Sequence, residues 1–136
     1  MFSAVYVTAD SCILSWRELG TASSWILEYD DSPFTPGTSM GQVEYAFDTF
    51  YVLEQLDTNT TYYVYLHSDC GGDTSTNAYL TFRTACGSAS LPFTENFDTW
   101  STGSSSPIDP CWRRGTNYST TSYYPYITTS YAHSGR

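Results

Sequence analysis

Residues that could perform catalysis are few and scattered in this chain of 136 residues. The two histidines, His67 and His133, are far apart, and the alternation of the strand that contains His67 predicts an outward, solvent-facing side chain. No GxSxG turn presents a serine for nucleophilic attack. The cysteines include no CxxC or other close pair of the kind that binds zinc. We therefore expect that the chain is not an enzyme.

Glu95 and Asp98 are acids close together in sequence, which could indicate a catalytic pair or a calcium site. Glycoside hydrolysis needs two carboxyl groups that flank one sugar bond, but acids three residues apart at the end of an extended strand point in different directions. Calcium takes several carboxylate and carbonyl oxygens, which makes a calcium site a second interpretation. Two acids are too few to specify a calcium site. The third interpretation is therefore that Glu95 and Asp98 are simply solvated acids near the start of a domain.

The composition argues against nucleic acid as a partner and against membrane insertion, and it favours an extracellular environment. The formal net charge is -9 with five Lys plus Arg, so no basic patch is available to bind nucleic acid. No apolar run is long enough to cross a bilayer, and the start MFSAVYVTAD lacks the pattern of an export signal, so we expect no membrane insertion. Thirteen tyrosines and four cysteines with disulfide rather than zinc spacing favour β structure at the cell surface or outside the cell.

Strand patterns recur at short intervals, and no segment shows a sustained helical period. Turn residues separate them, including Pro36-Gly37, which suits a type II turn. Alternation places Leu14, Leu27 and Val64 on core faces and leaves Glu28 on a solvated outer face. The sequence predicts an all-β sandwich or barrel of seven strands: 3–8, 12–17, 25–30, 42–46, 49–53, 61–69 and 78–84.

The stretch LDTNTTYYVYL, residues 56–66, narrows this prediction. Leu56, Thr60 and Tyr62 resemble the Leu-x-Pro-x-Thr-x-Tyr signature of fibronectin type III domains, with Thr58 where proline is common. The resemblance extends over residues 3–84 and includes a second-strand tryptophan, Trp16, and the closing TFRT.

The resemblance implies a seven-stranded, immunoglobulin-like fibronectin type III sandwich over residues 1–85. It implies that Trp16 and Leu56 are structural, and that Tyr62 forms a tyrosine corner, with its hydroxyl bonded to backbone in residues 56–60.

A second pattern follows a small, polar linker at residues 86–90. Within residues 91–136, the motifs ENFD at 95–98, PCW at 110–112 and YAHSG at 131–135 resemble the opening of cleaved-adhesin or MAM-like jelly-roll domains of bacterial surface proteins. A complete jelly roll has about eight strands, so we expect an incomplete one here. The resemblance also implies a disulfide between Cys86 and Cys111 and calcium binding in the complete domain.

The other two cysteines are not expected to pair with each other. Cys12 begins the second predicted strand on its core face and Cys70 ends the sixth, which runs parallel to it. Those ends lie at opposite poles of a sandwich, too far apart for a disulfide. We therefore expect Cys12 to be buried and unpaired, and Cys70 to be a free thiol as well.

One outer face is rich in tyrosine. Tyr63 and Tyr65 on the sixth strand lie beside Tyr79 and Arg83 on the seventh. A hairpin that turns near Thr74 would place Tyr65 opposite Arg83, with the guanidinium against the ring. Such a face either binds a protein or glycan at a cell surface or simply stabilises the sheet.

Two functions are consistent with these expectations. One is a non-catalytic spacer or adhesion module of a secreted or cell-surface bacterial protein. The alternative is a carbohydrate-binding accessory module of an extracellular hydrolase whose catalytic domain lies elsewhere. Only the alternative requires binding to a glycan array.

Overall fold

The computed structural model describes residues 1–69, 76–97, 100 and 109–112. The chain divides into two compact units, Met1–Gly87 and Ser88–Arg136. All the regular secondary structure of the described residues lies in the first unit.

Seven β-strands form the first unit, as predicted, and none of its strand ends differs from the prediction by more than two residues. The third and fourth strands have the predicted bounds. The strands are β1 (Ser3–Val7), β2 (Cys12–Ser15), β3 (Trp25–Asp30), β4 (Gln42–Ala46), β5 (Phe50–Leu53), β6 (Thr61–Ser68) and β7 (Ala78–Arg83).

The strands pair into two antiparallel sheets, one of three strands in the order β1-β2-β5 and one of four in the order β4-β3-β6-β7. Alternate side chains of both sheets face each other and form the core. Its largest fully buried side chains are Leu14, Leu27, Leu53, Val64 and Cys12. The alternation of side chains along half-buried strands therefore predicted the core residues correctly.

The chain enters the sandwich at one pole and leaves it at the other. Just after β7, the N–H of Ala85 donates to the carbonyl of Thr8, just after β1, at 2.8 Å. β1 and β7 therefore end together and run in the same direction. We call the end that contains Ser3 and Ala78 the entry pole, and the end that contains Thr8 and Ala85 the exit pole.

The predicted tyrosine corner lies at the exit pole. The backbone N–H of Asp57 donates to the Tyr62 hydroxyl at 2.8 Å, which confirms the prediction. A second hydroxyl, that of the buried Thr84, donates to the carbonyl of Asp57 at 2.7 Å and accepts from the N–H of Thr60 at 2.9 Å. Two side chains thus satisfy the backbone of one connection, and only the first was predicted.

The connection between β3 and β4 covers part of the outer face of the larger sheet. Gly37 has a φ of 77°, the left-handed value that a type II turn at Pro36-Gly37 requires. Its N–H donates to both carboxylate oxygens of Glu28, at 3.0 and 2.8 Å. The Glu28 side chain is only 3% exposed, and His67, whose Nδ1 lies 4.0 Å from Glu28 Oε1, is only 9% exposed. The expectation that Glu28 is solvated and His67 lies on the surface was wrong, because strand alternation does not show that a loop folds over the face.

The cysteines follow the predictions where the structure describes them. Cys12 is free and fully buried, as expected. Cys86 and Cys111 are both disulfide-bonded, in support of the bridge expected between them. Cys70 lies outside the described residues.

In the second unit the described residues form an aromatic cluster rather than strands. Phe97 packs edge-on against Trp100 and Trp112, with ring centroids 5.0 and 5.7 Å apart, and Phe93 lies 6.1 Å from Trp112. Short hydrogen bonds hold the turns, including one from the N–H of Cys111 to the Asp109 carboxylate at 2.7 Å. The jelly roll remains a prediction.

Candidate functional site: a tyrosine face on the larger sheet

The candidate site is the outer surface of β4, β3, β6 and β7. We call its outward-facing tyrosines Tyr45, Tyr63, Tyr65 and Tyr79 the tyrosine face. The antiparallel register places Glu28, Tyr65 and Tyr79 in one row across three strands. The rings of Tyr65 and Tyr79 pack with their centroids 4.9 Å apart.

Arg83 lies elsewhere than expected. It pairs with Thr61, and Tyr79 takes the position opposite Tyr65. The register is shifted by four residues along β7 from the one that a turn near Thr74 implies, so the predicted contact between Arg83 and Tyr65 was wrong. The Arg83 guanidinium instead donates through Nε and Nη2 to the Asn59 side-chain oxygen, at 3.0 and 2.7 Å.

The four tyrosines differ in what they offer to a partner. Tyr45 and Tyr79 are exposed, whereas Tyr63 and Tyr65 are half-buried. Tyr65 is engaged by the loop, because Phe34 packs edge-on against its ring at 5.1 Å and its hydroxyl donates to the Phe34 carbonyl at 3.3 Å. The most accessible tyrosines of the face are therefore Tyr45 and Tyr79, which lie on its two edge strands, and Tyr65 packs against Tyr79.

Glu28 and His67 form a buried pair beneath this surface. His67 Nδ1 lies 4.0 Å from Glu28 Oε1, beyond hydrogen-bonding distance. Both groups are covered, and the Glu28 carboxylate is already held by Gly37. The pair therefore has a structural role. In the sequence, the burial of this pair was indicated only by the loop before β4, which is long enough to fold over the sheet and contains Phe34 beside a Pro-Gly turn.

The residues predicted to be structural are all in the core. Trp16, Leu56 and Tyr62 are buried. The Trp16 ring packs edge-on against Trp25, with centroids 5.6 Å apart, and Tyr62 stacks on Phe82 at 5.7 Å.

A groove of about 450 Å³ opens between β4 and β5, at the gap between the sheets. Its walls include hydrogen-bonded pairs: the Tyr51 hydroxyl donates to Glu44 at 2.7 Å, and the Tyr29 hydroxyl donates to Gln42 at 3.0 Å. The bond to Glu44, with partial burial, raises the pKa of Tyr51 to about 12. The two pairs thus use part of each other's hydrogen-bonding capacity, and these four side chains do not by themselves specify a ligand.

The described residues add no support for a metal. Glu95 accepts a hydrogen bond from the N–H of Phe97 at 2.6 Å, and Asp98 lies outside the described part of the chain. No group of three potential ligands occurs among the residues that the structure describes. Calcium binding by Glu95 and Asp98 stays a prediction. The same residues include no helix of the length and apolarity needed to cross a membrane.

Solved structures share the architecture. No protein-family model and no curated protein sequence matches this chain. The fibronectin type III domain of the human collagen α1(XX) chain is 21% identical with a TM-score of 0.54, and the alignment covers 65% of this chain and 85% of that one. A computationally redesigned β-sandwich protein is 17% identical over 63% of this chain and 92% of that one, with a TM-score of 0.52.

A protein described as a myokine has a TM-score of 0.50 and is 16% identical, over 62% of this chain and 92% of its own. Sequence identities this low show a shared fold but give no information on what this chain binds. With the sheet orders and the tyrosine corner, they show that the first unit has a fibronectin type III-like sandwich fold.

Proposed function

We propose that this chain is a non-catalytic spacer and adhesion module of a secreted or cell-surface bacterial protein. The observation that carries the proposal is the path of the chain, which enters the sandwich at one pole and leaves it at the other. A module of this kind keeps its neighbours on either side apart. β6, with eight residues, is roughly 26 Å long, which sets the scale of the separation.

Two further features support this role. Disulfides persist in oxidising compartments, and Cys86 and Cys111 are disulfide-bonded. The tyrosine face offers exposed aromatic area, which loses little side-chain entropy on binding. An adhesion role requires a contact surface of this kind and no catalytic groups.

Cell binding by the full chain tests the adhesion role. Labelled protein is incubated with bacterial and animal cells, and bound label is measured by flow cytometry. We expect binding that falls about ten-fold in a Tyr45→Ser, Tyr79→Ser double variant, a loss equivalent to about 1.4 kcal/mol. Tyr6→Ser is the matched control, since Tyr6 is an exposed tyrosine on the smaller sheet. Absence of binding, or equal binding of the double variant, would contradict the adhesion role.

The alternative is a carbohydrate-binding accessory module. The packed rings of Tyr65 and Tyr79 favour it, since sugars bind to flat aromatic surfaces by their C–H faces. A glycan array separates the two functions, because the accessory module requires reproducible binding to a defined glycan and a spacer does not.

A further inference from the structure

The strand β4 has one unpaired edge. It lies at the side of the larger sheet, with β3 as its neighbour. Among the residues that the structure describes, no backbone hydrogen bond joins the other edge of β4 to another part of the chain. An edge strand directs the N–H and C=O groups of alternate residues away from its sheet, where an added strand can bond to them. The edge of β4 can therefore accept a further strand.

The two sides of β4 differ in chemistry. Gln42 and Glu44 face the groove between β4 and β5, whereas Val43 and Tyr45 face outward and are 43% and 56% exposed. A strand added beside β4 has the same alternation, so every second side chain lies over the groove and the others lie beside Val43 and Tyr45. The occupant of this edge should therefore alternate between two kinds of residue.

The groove side of β4 is anionic. Its lining includes the carboxylates of Glu44, Glu54 and Asp57 and no Lys, Arg or His. The Tyr51 hydroxyl donates to Oε2 of Glu44 at 2.7 Å, and no described residue donates to Oε1. Glu54 and Asp57 are exposed. Cationic side chains over the groove would find one free carboxylate oxygen on β4 and two accessible carboxylates beside it.

Glu44 also decides against other occupants. A charged side chain that points inward from an edge strand is a device by which proteins prevent pairing with unrelated strands. A second copy of this chain, with its β4 antiparallel to the first, would bring the two Glu44 side chains near each other, and like charges across a strand pair are destabilising. The net charge of -9 adds to this repulsion. The occupant is therefore a different, basic chain.

We propose that the edge of β4 binds an extended peptide segment of a partner protein in which Lys or Arg alternates with apolar residues. The segment adds a strand to the larger sheet, and its backbone bonds to β4. Its cationic side chains lie over the groove beside Glu44, and its apolar side chains pack beside Val43 and Tyr45. Tyr79 is on the opposite edge strand, so this interaction does not depend on the adhesion role.

A synthetic peptide and the full chain test the proposal. Fluorescein-labelled Thr-Arg-Val-Arg-Val-Arg-Thr, with blocked ends, is titrated with the protein at low salt and followed by fluorescence anisotropy. We expect saturable binding with a Kd below about 1 mM. Thr-Arg-Arg-Arg-Val-Val-Thr has the same composition and charge without the alternation, and it should bind about ten-fold more weakly. Absence of saturable binding, or equal binding of the two peptides, would overturn the proposal.

Backbone pairing is tested by N-methylation of the same peptide. The valines direct their N–H groups to one edge of the extended peptide and the arginines to the other edge. Methylation of the valine nitrogens or of the arginine nitrogens should therefore have unequal effects. One peptide should lose about ten-fold in affinity, and the other should bind as the parent does, because its methyl groups face solvent. If both methylated peptides bind as the parent does, no strand is added and the proposal fails.

Two protein variants locate the binding. Glu44→Gln keeps an acceptor for the Tyr51 hydroxyl but removes the charge, and it should weaken binding about five-fold. Asp48→Asn is the matched control, since Asp48 is an exposed acid that does not line the groove, and it should leave the affinity unchanged. Equal weakening by both variants would show that net charge alone attracts the peptide, which would overturn the proposal.

Amide NMR signals identify the strand that pairs. Saturable shifts are expected in β4, with the signals of β7, at the opposite edge of the sheet, unchanged. Shifts in β7 and not in β4 would contradict the proposed site. The cell-binding assay has a separate outcome: peptide binding by a protein that binds no cells would contradict the adhesion role and leave the edge of β4 as a peptide-binding site.

Discussion

Tyr62 holds the exit pole through one hydroxyl. Its replacement by Phe keeps the stack on Phe82 but leaves the Asp57 N–H without an acceptor. We expect the free energy of unfolding to fall by about 1 to 3 kcal/mol, as measured by urea denaturation. Tyr79→Phe is the control, since Tyr79 is exposed, and it should have little effect. A Tyr62→Phe variant as stable as the parent would show that the corner is dispensable.

Thr84 has a comparable role that the sequence did not reveal. Thr84→Val preserves the shape of the side chain but removes the hydroxyl that serves both Asp57 and Thr60, so we expect a loss of about 1 to 3 kcal/mol in the same assay. Thr84→Ser should recover most of the loss because it restores the hydroxyl. If the Ser variant is no better than the Val variant, the methyl packing of Thr84 matters and its hydrogen bonds do not.

Cys12 makes stability depend on pH in the alkaline range. Burial raises the pKa of the Cys12 thiol from its ordinary value of 9.0 to about 11. Between these values the folded chain keeps a proton that the unfolded chain has lost, so the free energy of unfolding decreases as pH rises from 9 to 11. Burial, with Glu44 and Tyr62 nearby, also raises the pKa of Tyr29, which adds to the decrease.

Urea denaturation at several pH values tests this effect. Cys12→Ala removes the thiol, so its stability should decline less between pH 9 and 11 than that of the parent. Identical slopes for the two proteins would mean that the thiol does not contribute.

At the scale of elements, the loop of residues 31–41 is attached to the sheet through the hydrogen bonds of Gly37 to Glu28 and through the contacts of Phe34 with Tyr65. Glu28→Ala removes the charged acceptor of the Gly37 N–H, so we expect hydrogen exchange at Gly37 to accelerate about ten-fold or more. Asp31→Ala, a change to an exposed acid in the same loop, should leave that exchange rate unchanged. Unchanged exchange in the Glu28 variant would show that Phe34 packing alone holds the loop.

The sequence predicted the β-strands correctly. It did not predict the loop that covers the larger sheet or the positions of the side chains on that outer face. The strands were predictable because alternation along β3 and β6 reports directly which side chains face the core. Tyr62 was predictable because its motif is local in sequence. Glu28 and His67 were misplaced because a loop covers them, and Arg83 was misplaced because hairpin register depends on a turn whose length its residues do not specify.

At the scale of the whole molecule, charge is unevenly distributed. Strands β1, β2 and β5 contain no charged residue, although the chain has a net charge of -9. Tyr6, Ile13 and Val52 form an exposed row across this smaller sheet. Net charge keeps such surfaces apart in solution, and it vanishes near the pI of about 4.2.

We therefore expect self-association as pH approaches 4.2, as followed by light scattering. Val52→Lys places a charge in the row and should suppress this association. Val43→Lys is the matched control, because Val43 and Val52 are 43% and 40% exposed and lie on different sheets. Equal suppression by both variants would show that net charge alone governs association.

The positions of entry and exit also determine how the sandwich responds to tension. A pull on the chain before β1 and after β7 acts along these two strands, which run in the same direction. The hydrogen bonds between β1 and β2, and between β6 and β7, then lie across the line of force, so several must break together rather than one after another. Forced unfolding is governed by the rate of unfolding rather than by equilibrium stability. This geometry favours mechanical resistance greater than the unfolding free energy alone would suggest.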